Sequence, residues 1–263
     1  MEPAATDPAT DRLAVAVVGA HGRMGSTVCA AVEQAADLEL VARVGAEDDV
    51  ATVAATGARV AVDFTVPAVT ETNVHALVDA GLHVVVGTTG WTAAALTRVR
   101  EHLAEVNAAR PDPLGVLVAP NFALSAVLAM RFAAQAARFF DSAEVVELHH
   151  PGKVDAPSGT AVATAQHIAA ARQDAGRGPV PDATHTQLDG ARGAVVDGVH
   201  VHAVRLQGLV AHEEILFGNP GEQLTIRTDS FDRVSFMPGV LLAVRRVPDR
   251  PGLTVGLDQV LDL

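Results

Sequence analysis

From Leu13 onward, short runs of apolar, mostly β-branched residues alternate with stretches of helical periodicity, the pattern of a doubly wound parallel sheet. It predicts strands over residues 13–19, 38–44, 60–64, 83–86 and 116–119, with helices over 24–36, 67–80 and 92–109 between them. Pro67 suits a first helical turn and Gly81 a C-terminal stop. After Asn121 the rhythm changes. A long Ala-rich helix over 124–140 precedes a strand over 143–149, a polar segment, and a helix over 158–173. A Gly-, Pro- and Asp-rich loop is expected over 174–198, then strands over 199–206, 212–217 and 223–228, whose short connections imply an antiparallel or mixed sheet. A last amphipathic helix over 237–247 and an apolar tail over 253–263 are expected to return to the first sheet.

The fold class expected is therefore α/β: a Rossmann-type parallel-sheet nucleotide domain plus an α+β domain with an open mixed sheet. The expected boundaries are an extension over 1–11, a dinucleotide-binding domain over 12–121 completed by 232–263, and a second domain over 122–231.

The net charge of −12 argues against a nucleic-acid or anionic-membrane partner, since either needs a basic face. No apolar run has the length of a membrane span, and the acidic, Pro/Ala-rich start reads as a loose extension of a cytoplasmic protein. The lone cysteine, Cys29, makes no internal disulfide or cysteine-based zinc site; it reads as a small core residue of the first helix, and no metal is expected. Two features are sharper. Tyrosine is absent, and Lys153 is the only lysine, so the remaining eighteen of the 19 basic residues are arginines.

Three segments carry candidate chemistry. The first is Gly19-Ala20-His21-Gly22-Arg23-Met24-Gly25, where the first strand turns into the first helix. Glycine lets backbone approach a pyrophosphate whose charge the helix N-terminus stabilises, and Arg23 adds a charged donor. The second comprises the later strand ends, Asp63-Phe64-Thr65, Gly87-Thr88-Thr89-Gly90 and Ala119-Pro120-Asn121-Phe122. Carboxyl ends of parallel strands form the ligand crevice, so these residues are expected to border a nicotinamide; each segment alone also reads as ordinary turn chemistry.

The third is Glu147-Leu148-His149-His150-Pro151-Gly152-Lys153-Val154-Asp155-Ala156-Pro157-Ser158-Gly159-Thr160. The N–H groups of Gly159 and Thr160 and the hydroxyls of Ser158 and Thr160 suit one carboxylate of a carboxylated substrate, and Lys153 supplies a point charge. His149 titrates near neutrality and suits proton donation to a carbanion or enamine; His150, its neighbour on an extended strand, faces the other way. Taken singly, Ser158 reads as an N-cap, the histidines as surface residues and Lys153 as a solvated charge. A chain that elsewhere uses arginine but keeps an ammonium here favours a site.

Together these motifs resemble the 4-hydroxy-tetrahydrodipicolinate reductase family, also called dihydrodipicolinate reductase, over about residues 13–263. The resemblance implies an NADH- or NADPH-dependent enzyme of the lysine and diaminopimelate pathway, with hydride delivered to substrate C4 and a proton to C3. It implies His149 as proton donor, Lys153 at the family's lysine position, and His150, Ser158, Gly159 and Thr160 as substrate contacts. It also implies a substrate domain that assembles a homotetramer.

One position departs from the family pattern: Gly45 stands where an acid after the second strand would meet the adenosine ribose. The expectation is that both dinucleotides are accepted, unless Glu47 or Asp48 folds back into that place. A tyrosine-dependent reductase is excluded by composition, and a cysteine-dependent semialdehyde dehydrogenase would need Cys29 elsewhere. The remaining rivals are a reductase of another small dicarboxylate and a non-catalytic redox sensor, which would not need the third segment.

Overall fold

A computed structural model describes residues 12–261, so the extension expected over 1–11 lies outside the described residues. In chain order the elements are β1 (Leu13–Val18), α1 (Arg23–Gln34), β2 (Leu38–Val44), β3 (Val60–Asp63), α2 (Pro67–Asp79), β4 (His83–Val86), α3 (Ala93–Ala108) and β5 (Gly115–Val118). They continue with α4 (Leu124–Ala137), β6 (Ser142–His149), α5 (Gly159–Asp174), β7 (Ala194–Val196), β8 (Val199–Arg205), β9 (Ala211–Asn219) and β10 (Glu222–Ser230). The chain closes with α6 (Met237–Arg246) and β11 (Gly252–Val255). Two compact units result, one taking the chain up to Phe122 and again from Phe236, the other taking Ala123–Ser235.

The first unit is built on a six-stranded parallel sheet in the order β11-β5-β4-β3-β1-β2. Its central strands are continuous apolar runs because helices cover both faces: Val15, Ala16, Val17, Val60, Val62, Val84 and Val85 are fully buried, each valine worth about 1.5–3 kcal/mol. Helix α2 starts with Pro67 in its first turn and ends where Gly81 takes φ +83°. Thr92 caps α3, its hydroxyl accepting from the Ala95 N–H at 3.1 Å. The tail returns as β11, pairing with β5 from Gly252↔Gly115 to Val255↔Val118. Strand order reverses at β1, between β3 and β2, so the crevice opens at the carboxyl ends of β1 and β3.

The second unit is a five-stranded mixed sheet, β10-β9-β6-β8-β7, in which only β6 and β8 run parallel. Helices α4 and α5 pack on one face, where Ala133, Ala143, Val145, Ala165, Ile168, Val201, Ile215 and Phe217 form a core. The opposite face turns Val146, Leu148, Val204 and Leu216 away from those helices, all only partly buried.

Three sequence expectations need correction. Residues 50–56, read without an element, form a 3₁₀ helix capped by Asp49, which accepts from the Ala51 N–H. The span expected to be loop over 174–198 contains β7, paired antiparallel to β8, which at three residues is too short to show a period. Helix α4 ends at Ala137, three residues early, and Phe140 instead packs on Phe217 at 5.6 Å between ring centroids.

Candidate active site

In the first unit, the turn after β1 admits only glycine at two places. Gly19 has φ +79°, and a Cβ there would lie 2.6 Å from the Phe64 carbonyl oxygen; at Gly25 it would lie 2.1 Å from the Gly19 carbonyl oxygen. The Gly22 N–H donates to the Gly19 carbonyl at 3.0 Å, closing the turn, and α1 begins at Arg23 with no side chain capping its first N–H groups. Those amides and the exposed His21 and Arg23 are the donor set a pyrophosphate requires.

Beside the turn, a cleft of about 290 Å³ is lined by Met24, Phe64, Thr65, Pro67, Gly87, Thr88, Thr89, Pro120, Asn121, Phe122 and Phe236. Phe64 lies over Gly87, where a Cβ would meet the ring at 2.1 Å, and tilts against Phe122 at 5.7 Å. Asp63 holds these loops from beneath. Its fully buried Oδ1 accepts from the Thr65 N–H and the hydroxyls of Thr65, Thr70 and Thr88 at 2.8–3.1 Å, and its Oδ2 accepts from Asn73 at 2.9 Å. Glycine cradle, open helix start and apolar slot fit a nicotinamide dinucleotide.

Ala119, expected at the cleft, is instead fully buried and does not line it. Sequence reasoning missed Pro67 and Phe236 as cleft residues; Phe236 arrives with the returning chain and carries no local signal. At the end of β2, Asp48 does fold back: its Oδ2 accepts from the Gly45 N–H at 2.7 Å. The Asp48 carboxylate thus lies against the Gly45 backbone, and a Cβ on Gly45 would meet the His21 ring at 2.8 Å.

In the second unit, β6 alternates so that Ala143, Val145, Glu147 and His149 face the helices. Glu147 is 0 % exposed and accepts four hydrogen bonds: from His149 Nδ1 at 2.6 Å, from both Arg205 Nη atoms at 2.7 and 2.8 Å, and from the Ser158 N–H at 3.0 Å. Burial pushes its carboxyl up, but the bonds from Arg205, His149 and Ser158 outweigh that and hold it below the usual range. The ionised carboxylate fixes the His149 proton on Nδ1 and leaves Nε2 as the working nitrogen. Burial sets His149 itself below its ordinary value, against the pull of Glu147 toward the charged form.

His150 is exposed, and the Lys153 N–H donates to its carbonyl at 3.1 Å, closing the turn that carries Lys153. Lys153 Nζ reaches Asp155 Oδ1 at 2.7 Å. Ser158, 2 % exposed, takes the capping role that its sequence context left beside the ligand role, its hydroxyl accepting from the Ala161 N–H. Gly159 and Thr160 form the first turn of α5, which carries no acidic side chain there.

The supporting groups Glu147, Arg205 and Asp155 were not singled out by sequence reasoning. A signal existed for Glu147: two residues before His149, it shares a face that the strand's parity buries. Arg205 carries none, because it meets Glu147 from 58 positions away through the β6–β8 pairing.

Behind Glu147, directly opposite on β9, lies Glu213 at 6 % exposure. Burial raises its pKa to about 7, and the Glu147 charge adds to the shift. Thr164 Oγ1 stands 2.8 Å from Glu213 Oε1 and 3.0 Å from the Thr160 carbonyl. The Thr164 hydroxyl is the donor to Glu213 Oε1, and that bond works against the upward push of burial.

A parallel sheet with a glycine turn at its switch point and a cleft bordered by strand ends defines a Rossmann-type, dinucleotide-dependent oxidoreductase; the second unit adds a buried carboxylate–histidine pair beside an ammonium. Residues 13–122 match the family model described as dihydrodipicolinate reductase, N-terminus, and residues 125–261 match dihydrodipicolinate reductase, C-terminus. The chain belongs to the dihydrodipicolinate reductase family.

It is 71 % identical over 249 residues to the 4-hydroxy-tetrahydrodipicolinate reductase of Beutenbergia cavernae, covering 95 % of this chain and 98 % of the relative. To that of Nocardia farcinica it is 62 % identical with the same two coverages. Among solved structures it resembles a dipicolinate-bound dihydrodipicolinate reductase from Paenisporosarcina sp. TG-14, with a TM-score of 0.84 and 34 % identity over 95 % of this chain and 100 % of that one.

Proposed function

We propose that the chain reduces 4-hydroxy-tetrahydrodipicolinate, or the dihydrodipicolinate formed from it by loss of water, to tetrahydrodipicolinate. The observation that carries this reading is the His149–Glu147–Arg205 array beside Lys153. The reduced dinucleotide, when bound, supplies hydride to substrate C4. His149 Nε2 then delivers a proton to the electron-rich C3, while Glu147 stabilises the imidazolium that gives it up. Lys153, with the Gly159 and Thr160 N–H groups at the start of α5, binds one substrate carboxylate, and His150 borders the same pocket. Cofactor contacts are assigned to Gly19, His21, Gly22, Arg23, Met24 and Gly25 for the phosphates, and to Phe64, Gly87, Thr88, Thr89, Pro120, Asn121 and Phe122 for the nicotinamide. Oxidation of NADH and NADPH in the presence of freshly generated hydroxy-tetrahydrodipicolinate tests the reading, and no oxidation with either would overturn it. A dinucleotide sensor has no use for a buried acid that orients a histidine, so the array favours catalysis.

The first unit serves the dinucleotide, and the second serves substrate binding and assembly into a homotetramer. What supports assembly is the helix-free face of the second sheet with Val146, Leu148, Val204 and Leu216 upon it. The acidic composition with its single cysteine supports a cytoplasmic setting, and no helix among the described residues is long and apolar enough to cross a membrane.

A further inference from the structure

Asp155 places a carboxylate where a substrate carboxylate is needed. Its Oδ1 takes the Lys153 ammonium at 2.7 Å and its Oδ2 takes the Gly159 N–H at 3.3 Å, which are two of the donors assigned above to the substrate. The side chain thus bridges the ammonium and the start of α5 as one carboxylate of a bound dicarboxylate would. Its backbone is fixed independently: the Asp155 carbonyl accepts from Arg205 Nη2 at 2.7 Å, and Arg205 is itself locked on Glu147. Only rotation about the Asp155 side-chain bonds is needed to open the donors, with no movement of the His149–Glu147–Arg205 array.

We infer that Asp155 is an internal surrogate for the substrate carboxylate, which holds Lys153 in its binding geometry in the free enzyme and must swing away when a dicarboxylate enters. The inference rests on the proposed function, since it takes Lys153 and Gly159 to be the carboxylate subsite. Lys153 holds the Asp155 carboxyl below its usual range, so the surrogate is ionised at neutral pH and competes as a charged group. Occupation by an internal competitor lowers apparent affinity by the fraction of molecules with the donors open. It also makes the site selective: a ligand with one weak acceptor cannot displace a carboxylate from two donors, whereas a second carboxylate can.

Dipicolinate, a stable planar dicarboxylate, is the probe. Its dissociation constant is measured by titration calorimetry on the full-length wild type, Asp155→Asn, Asp155→Ala and Lys153→Gln. The two Asp155 variants are expected to bind about two- to fivefold more tightly, the range by which a partly exposed ion pair competes. Lys153→Gln is expected to bind at least tenfold more weakly. A purely structural Asp155 would give weaker binding when replaced, so unchanged or weaker binding in both Asp155 variants overturns the inference. Unchanged binding in Lys153→Gln overturns instead the assignment of the carboxylate subsite. A crystal structure of the wild-type dipicolinate complex separates displacement from simple charge relief: Asp155 should have left Gly159 N, and its remaining there beside bound ligand overturns the inference.

Discussion

His149 is held between two influences, burial that favours the neutral ring and the Glu147 carboxylate that favours the charged one, with burial the larger. As proton donor it must carry the proton it gives away. Below its folded pKa it is competent, and activity falls as pH rises through that value. The kcat/KM profile of the free enzyme is therefore expected to decline at a pH below the ordinary imidazole value of about 6.5. His149→Gln should remove that limb and lower kcat by about 10² or more, with dinucleotide affinity nearly intact, since its partners Glu147 and Arg205 are all in the second unit. Lys153→Arg should also fail, because a planar guanidinium does not reproduce a compact ammonium. Full activity in either variant removes the assignment.

Cofactor choice is a residue-scale matter too. Gly45 appeared to leave the ribose without an acid, yet Asp48 returns a carboxylate to the Gly45 N–H. That carboxylate suits a ribose hydroxyl and repels a 2′-phosphate. Asp48→Asn is accordingly expected to raise kcat/KM for NADPH relative to NADH about three- to tenfold, and a ratio unchanged within error would place the ribose elsewhere.

At the scale of elements, strands such as β1 and β3 are legible because parallel strands buried on both faces write continuous β-branched runs. The turn after β1 is legible because Gly19 and Gly25 are imposed by backbone contact. What escapes is set by distance along the chain. Arg205 meets Glu147 only after β8 is laid beside β6, and β7 exists only because β8 offers it an edge. The polar segment after β6 announces itself through Lys153 and the histidines, but its local bond from the Gly159 N–H to the Asp155 carboxylate depends on a turn geometry that composition does not encode.

Glu213 shows the same limit. Its parity on β9 buries it, and only the pairing with β6 reveals a second acid opposite. With its pKa raised from 4.5 to about 7, the folded protein keeps this group neutral while the unfolded chain ionises it. The stabilisation is fully present below about pH 4.5 and is lost as pH rises to about 7, a change on the order of 3 kcal/mol. Glu213→Gln should therefore leave Tm nearly unchanged at about pH 4 and raise it by several degrees at about pH 8. An equal shift at both values would show that Glu213 is ionised throughout.

At the scale of the whole molecule, a chain of net charge −12 binds anions only where local donors overcome the general field, and both units concentrate such donors at helix starts, α1 in the first and α5 in the second. The assembly proposed above rests on the sheet of the second unit. Its helix-free face mixes apolar side chains with paired charges: Glu144 is paired with Arg192 and His202, and Arg227 with Glu214 and Asp229. An apolar stripe bordered by satisfied ion pairs is the composition of an interface core with a polar rim. Leu216 lies on that stripe beside Thr225 and Glu144, at the end of the sheet away from His149, which pairs with Ala211. Leu216→Arg would place a longer, charged side chain in each copy of a self-complementary contact, where symmetry repeats the steric and desolvation penalty. Sedimentation velocity at micromolar concentration is expected to show a tetramer for the wild type and dimer or monomer for Leu216→Arg. NADH and NADPH affinities should be preserved in the variant, because the cradle from Gly19 to Gly25 belongs to the other unit. A wild-type monomer would remove the assembly proposal outright, and a tetramer that survives Leu216→Arg would move the interface off this face.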